Sequence, residues 1–162
     1  MNNIISFLKL IRIQNLFIIL ITQTIIKIFL VNQFIKNYNL NLVDFTLYLI
    51  ATLSIIAAGY IINDIYDIDT DKVNKKNKLI IGKKISVKDA RNSYVILNTF
   101  GIMTAAFLAF KLNKFLFFII FSYFIISLWR YSKKLKKTFL FGNIQVAFLT
   151  ALSIINIILF DI

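Results

Sequence analysis

Four of the seven acidic residues in this 162-residue chain lie within the nine positions 63–71, which read NDIYDIDTD. If this stretch is helical, a rotation of 100° per residue places Asp64, Asp67 and Asp71 within about 60° of one another, with Asp69 on roughly the opposite side. Three carboxylates on one stripe repel each other, and a divalent cation would relieve that repulsion. An oxygen-only ligand set favours Mg²⁺ or Ca²⁺. The stretch is therefore the candidate hard-cation site.

The composition excludes several other kinds of chemistry. The chain has no cysteine and no histidine, so disulfides, thiolate metal sites and imidazole general bases are all excluded. Its net charge is +12, but the lysines flank apolar runs. We attribute this charge to membrane topology and anionic lipid headgroups, and we expect no nucleic-acid partner.

A hydrophobic content of 59% is too high for an ordinary soluble domain. Apolar runs long enough to span a bilayer recur along the chain, and no segment has the alternating pattern of a strand. We predict an all-α, polytopic transmembrane helix bundle that forms a single domain over residues 1–162. The predicted helices cover residues 13–31, 45–62, 93–110, 115–129 and 139–160.

The acidic stretch is followed by a loop rich in lysine, and both lie at a membrane surface. Mg²⁺ commonly takes one or two carboxylates and completes its octahedron with phosphate oxygens and water. This combination suits a lipid diphosphate, with its hydrocarbon tail held among the helices. Two alternatives are a solvated loop whose charges simply pair and an EF-hand. The EF-hand fails because Lys72 and Lys78 stand where that loop needs Gly and Glu.

The motif Asn63-Asp64-x-x-Asp67-x-x-x-Asp71 resembles the first aspartate-rich motif of the UbiA-type intramembrane prenyltransferases. The resemblance extends, in the family's order, over nearly the whole chain. The similar segments are residues 12–16, 71–75 and 82–86, with Tyr131-Ser132, Lys136 and Gly142-Asn143 at the junction leading into the last helix.

The resemblance implies a Mg²⁺-dependent enzyme that joins an isoprenyl diphosphate to a membrane or interfacial acceptor and releases diphosphate. Asp64, Asp67 and Asp71 would be the catalytic metal ligands. The substrate-binding residues would be Asn63, which orients the diphosphate, the basic residues Lys78 and Lys136, and Arg12 and Asn15, which face the central cavity.

The acceptor is left open by the residues. The first helix and residues 131–152 are most similar to members that act on geranylgeranylglycerol phosphate, an ether-lipid precursor. Aromatic acceptors, the precursors of quinones or haem, are the alternative.

The chain departs from the family pattern in two ways. Lys76 and Leu79 replace prolines that the family carries in the loop after the motif. Family members also have about nine helices and a second aspartate-rich motif, whereas this chain supplies five helices. We therefore expect a C-terminally truncated prenyltransferase domain, either with a second chain that supplies the missing half or as an inactive fragment or non-catalytic membrane subunit.

Membrane topology gives the first testable prediction. Fifteen Lys and Arg residues fall on the side that holds the N-terminus and the acidic stretch, against three on the other side. The positive-inside rule therefore places the N-terminus and the Asp-rich loop in the cytoplasm. A reporter fused after Lys36 should prove non-cytoplasmic, and a cytoplasmic reporter there would overturn the assignment.

Overall fold

The computed structural model describes residues 3–34, 40–74 and 79–161. Within these ranges the regular structure is helical, without a β-strand. Five of the helices are long and apolar enough to cross a membrane, so the prediction of an all-α polytopic bundle is confirmed. The helices are α1 (Asn3–Leu10), α2 (Ile13–Phe34), α3 (Leu42–Tyr66), α4 (Ile68–Asn74), α5 (Val87–Lys111), α6 (Leu116–Lys133) and α7 (Phe141–Asp161).

The helix boundaries differ from the predicted ones for local reasons. Helix α3 starts earlier because the side chain of Asn41 accepts a hydrogen bond from the Asp44 N–H at 2.9 Å. Helix α5 starts at Val87, well before residue 93, because Ser86 Oγ caps it through the Asp89 N–H at 3.0 Å. The short helix α1 was not predicted, since its eight residues give too little sequence for a periodicity to stand out.

Helix α3 is the centre of the bundle and packs against α2, α5 and α6. Small residues allow the closest approach, which is to α5. A Cβ atom on Gly101 would lie only 2.7 Å from Ile55 Cγ1 and 3.1 Å from the Ala51 carbonyl oxygen. Large apolar side chains on the other helices face outward, among them Phe29 and Ile96. An apolar exterior around a tightly packed interior is the arrangement expected within a bilayer.

The end of the bundle opposite the acidic motif is joined by charged groups. Lys27, in a π-helical segment of α2 (Ile26–Val31), pairs with Asp161 at the end of α7, and both side chains are buried. Asp161 Oδ1 also accepts a hydrogen bond from the Leu40 N–H at 2.8 Å. Nearby, Lys111 Nζ lies 2.5 Å from Asp44 Oδ1. The lysine inside the first apolar run is therefore part of a buried ion pair that joins two transmembrane helices.

Asp161→Leu should lower the stability of the bundle strongly, because it leaves the charge of Lys27 buried without its carboxylate. Loss of one partner of a buried ion pair costs about 3–5 kcal/mol, whereas replacing both by apolar residues is often close to neutral. The thermal unfolding midpoint in detergent should fall for Asp161→Leu and recover in the double variant Lys27→Met/Asp161→Leu. Asp69→Asn, at an exposed position, is the control; an unchanged midpoint for Asp161→Leu would contradict the assignment.

Candidate active site

The acidic motif begins inside α3 and continues through a short interruption into α4. Asn63 and Asp64 lie in the last turn of α3, and Asp67 ends it with φ −95° and ψ −1°. Backbone hydrogen bonds nevertheless cross the interruption. The Asp67 N–H donates to the Asn63 carbonyl oxygen at 3.1 Å, and the Asp71 N–H donates to the Asp67 carbonyl oxygen at 2.8 Å. The motif is therefore close to the helix expected from its spacing, with one irregular residue at Asp67.

Arg12 reaches Asp64 from the junction between α1 and α2. Its backbone is left-handed, with φ 52° and ψ 56°, a conformation that costs a non-glycine residue about 1–2 kcal/mol. From there Nη2 donates to Asp64 Oδ1 at 3.1 Å, and the guanidinium lies 4.8 Å from the centre of the Tyr60 ring. Asn15 Nδ2 donates to the Tyr60 hydroxyl at 3.4 Å. Arg12, in the junction, and Asn15, in α2, thus both contact residues near the end of α3.

Lys136 reaches the motif from the 3-10 turn Leu135–Lys137, between α6 and α7. Its Nζ lies 2.7 Å from Asp67 Oδ1 and donates to Asn63 Oδ1 at 3.2 Å. Asn63 Nδ2 in turn donates to Asp67 Oδ2 at 3.1 Å. Asn63 therefore has a fixed amide orientation, with its oxygen towards the lysine and its nitrogen towards the carboxylate.

Gly142 allows this turn to lie so close to the start of α7. A Cβ atom there would lie 2.9 Å from the Leu135 carbonyl oxygen and 3.2 Å from Lys136 Cα. Both contacts are with backbone, which cannot rotate away as a side chain can. The absence of a side chain at Gly142 is therefore what lets the backbone of Lys136 reach the position from which its amine meets Asp67.

A cavity of about 350 Å³ opens beside these charged groups. Its wall is polar where it meets Arg12 and Asn63 and largely apolar among the transmembrane helices. Gly59 contributes to the wall, and a Cβ atom there would approach Leu128 Cδ1 to 2.9 Å. The remaining lining residues are Ile19, Ile56, Tyr60, Phe124, Leu128, Tyr131, Ser132, Val146, Leu149, Thr150 and Ser153.

The donor chemistry fits a Mg²⁺ ion that is shared with phosphate oxygens rather than one held in a protein cage. Within the described ranges, no three carboxylates converge closely enough to hold an ion on their own. Asp64 and Asp67 are each paired with a cation, and Asp71 acts electrostatically on Asp64. Carboxylates and an amide oxygen are hard ligands of the kind that Mg²⁺ accepts. The assignment of Asp64, Asp67 and Asp71 as its ligands stays a prediction.

Most of the residues singled out in the sequence come together in the structure. Arg12, Asn63, Asp64, Asp67 and Lys136 lie in hydrogen-bonded contact around the end of α3. Asn15 joins them through Tyr60, and Asp71 lies about one turn further along the chain. Asp69 has a side chain that is 96% exposed and pairs only with Lys72 among the described contacts. Lys78 lies outside the described residues.

Sequence reasoning missed Tyr60, Tyr131 and Ser132 as residues of the site. All three line the cavity, and Tyr60 also contacts Arg12 and Asn15. A signal was available for Tyr60, because it precedes Asp64 by four residues on one helix and so shares its face. In the sequence, Tyr131 and Ser132 stand out only as part of a segment similar to the family. The path of α6 past the cavity places them in its wall.

Fold and site together define the class of protein: an integral membrane helix bundle with a charged site at one end and an apolar cavity beneath it. A model of the UbiA prenyltransferase family matches residues 28–158. The chain belongs to the UbiA prenyltransferase family, which confirms the resemblance found in the sequence.

Curated relatives and a solved structure agree with this assignment. The chain is 33% identical to digeranylgeranylglyceryl phosphate synthase of Sulfurisphaera tokodaii, over 91% of this chain and 50% of that protein. It is 38% identical to the synthase of the same name from Saccharolobus solfataricus, over 92% of this chain and 49% of that protein. A solved structure of digeranylgeranylglyceryl phosphate synthase superposes with a TM-score of 0.81 and 25% identity, covering 100% of this chain and 55% of that one. The chain thus spans about half the length of the curated relatives it matches.

Gly142→Ala should disturb the site from a distance. The added methyl group would press on the backbone of Leu135 and Lys136, and overpacking of this kind costs about 1–3 kcal/mol. The expected result is a lower thermal unfolding midpoint in detergent. Asn143→Ala, the exposed neighbour, is the control and should leave the midpoint unchanged. An unchanged midpoint for Gly142→Ala would show that the turn tolerates the side chain.

Proposed function

We propose that this chain carries the diphosphate-binding part of a Mg²⁺-dependent prenyltransferase that moves a geranylgeranyl group from its diphosphate to geranylgeranylglyceryl phosphate. The observation that carries the proposal is the pairing of Asp64 and Asp67 with Arg12 and Lys136 beside a cavity that Arg12 and Asn63 line. Carboxylates suit a metal, cations suit a diphosphate, and the cavity suits a hydrocarbon chain.

The diphosphate would lie at the end of α3. Lys136 and Arg12 supply positive charge to its oxygens, and Asn63, whose amide is fixed by Asp67, orients one of them. Lys78 would add a further cation from the loop after the motif, as the family resemblance implies. Asp64, Asp67 and Asp71 would hold Mg²⁺, which when bound stabilises the negative charge that develops on the departing diphosphate.

The hydrocarbon chain would extend into the cavity between α3, α6 and α7. Ile56, Phe124, Leu128 and Leu149 form an apolar lining there, which the hydrocarbon chain can contact without covering a polar group. With the hydrocarbon chain of the substrate in the cavity, the C1 atom of the prenyl group would be held at the charged end. The apolar lining also excludes water, which would otherwise compete with the acceptor for C1.

The reaction replaces one C–O bond by another. The bond from C1 to the diphosphate oxygen breaks with its electron pair going to diphosphate, and the acceptor hydroxyl oxygen forms a new bond to C1 and loses its proton. Positive charge develops on C1 and its allylic neighbours as the first bond breaks. Tyr131 lines the cavity and would stabilise that charge through the π face of its ring, whereas the Tyr60 ring already lies beside the Arg12 guanidinium.

The choice of acceptor is supported by the relatives, which are named as synthases of digeranylgeranylglyceryl phosphate. That product contains a glyceryl phosphate carrying two geranylgeranyl groups, so the acceptor would be a glyceryl phosphate that already carries one. No relative reported above is named for an aromatic acceptor, the alternative left open by the sequence.

The charged site would face the cytoplasm. Arg12, Lys136 and Lys72 share one end of the bundle with the acidic motif, while Asp44 and Lys111 lie at the other end of α3 and α5. The fifteen-to-three distribution of Lys and Arg supports this orientation. A cytoplasmic site would also have direct access to water-soluble Mg²⁺.

The proposal is tested by transfer of labelled geranylgeranyl groups in membranes that contain the chain, with geranylgeranylglyceryl phosphate as acceptor. Asp64→Asn and Asp67→Asn should each lower turnover at least a hundredfold, the loss expected for one strong electrostatic contribution of about 2.7 kcal/mol or more. Asp69→Asn, on the exposed side of the same motif, should retain full turnover.

Two results would count against the proposal. If Asp64→Asn and Asp67→Asn had the same turnover as Asp69→Asn and the unsubstituted chain, the acidic motif would have no role in the reaction. Binding of geranylgeranyl diphosphate without any transfer by the unsubstituted chain would instead support the alternative of a non-catalytic membrane subunit.

A further inference from the structure

A second cavity, open to the surface and about 480 Å³ in volume, lies where α1 meets α2. Arg12 lines both this groove and the cavity under the acidic motif. Both cavities are therefore bordered by the same residue. The other residues lining the groove are Ile5, Leu8, Lys9, Ile13, Gln14 and Asn15.

The groove is positively charged. Among the residues that the structure describes, its lining holds two cations, Lys9 and Arg12, and no acidic residue. Arg12 has five N–H donors and donates one hydrogen bond to Asp64, so its donor capacity exceeds what that carboxylate uses. Helix α2 also begins at the groove without a side-chain cap, which leaves a partial positive charge from its first N–H groups.

The same groove has an apolar wall. Ile5, Leu8 and Ile13 are 44%, 37% and 45% exposed, although each is a large hydrophobic residue. Positive charge and exposed hydrocarbon side by side match an amphiphile with an anionic head. A phosphate monoester carries more charge than the phosphodiester of an ordinary phospholipid, and it presents more acceptor oxygens to a lysine and an arginine.

We propose that the groove binds the phosphate headgroup of the acceptor lipid, with Lys9 as its specific contact. This inference rests on the proposed function and names the subsite where its second substrate is held. Two anionic substrates must approach each other without repulsion, and the structure provides separate cations for them. Lys136 binds the diphosphate, Lys9 binds the phosphate of the acceptor, and Arg12 lies between the two.

Binding can be measured without turnover. The purified chain is placed in nanodiscs of neutral phosphatidylcholine without Mg²⁺, and geranylgeranylglyceryl phosphate is compared with geranylgeranylglycerol, which lacks only the phosphate. Lys9→Gln should weaken binding of the phosphate lipid about tenfold, as expected for loss of a charge-assisted contact, and leave the alcohol unaffected. Lys88→Gln, an exposed lysine at the start of α5, is the matched control and should change neither.

Competing lipids separate the acceptor from the bulk membrane. Phosphatidylglycerol at equal concentration should displace the phosphate lipid poorly; equally good displacement would identify a general anionic-lipid site and overturn the proposal. Equal affinity for the two geranylgeranyl lipids, or no effect of Lys9→Gln, would also overturn it.

The two proposals can fail independently. Asp67→Asn should weaken Mg²⁺-dependent binding of geranylgeranyl diphosphate and leave binding of the acceptor lipid unchanged, since Asp67 lies on the Lys136 side of the site. If Asp67→Asn changes neither, the proposed function fails at its diphosphate site. If only the Lys9 result fails, the groove assignment alone is lost.

Discussion

The pairing of carboxylates at the end of α3 with cations from distant parts of the chain is the interaction on which the site depends. Arg12 and Asp64 are 52 residues apart in sequence, and Lys136 and Asn63 are 73 apart. Like charges crowded in one helical turn would repel, and these cations offset that repulsion. The ion pairs also lie where the α1–α2 junction, α3 and the turn after α6 meet. The charged site and the packing of the bundle at this end are therefore one feature.

The two ends of the bundle use ion pairs in different ways. Lys27 and Asp161 are both buried, with side chains 7% and 0% exposed, so water does not screen the pair that joins α2 to α7. Arg12 and Asp64 are 43% and 24% exposed, so water screens them and their pairing contributes little to stability. A weak pair can be rearranged at small cost when a diphosphate or a metal arrives. The buried pair supplies rigidity, and the more exposed Arg12–Asp64 pair leaves that side of the site open to exchange.

Much of the fold follows from the sequence because long apolar runs leave few alternatives to transmembrane helices. The acidic motif was also recognisable, since the spacing of Asp64, Asp67 and Asp71 determines which helix face they share. Partners across the bundle were not derivable in the same way. Family resemblance, not spacing, indicated Arg12 and Lys136, and the role of Tyr60 depends on the left-handed backbone of Arg12. Such contacts depend on turns, whose geometry a hydropathy pattern does not contain.

Glycine positions show why the acidic motif alone does not make the site. Gly101 lets α5 approach α3, and Gly142 lets the turn carrying Lys136 approach α7. Neither residue touches a carboxylate, yet the lysine reaches Asp67 only if its backbone lies where Gly142 permits. A chain could retain every residue of the motif and still lose the Lys136 contact through one methyl group at this position. Recognition of diphosphate therefore depends as much on close backbone packing as on the aspartates that would bind its metal.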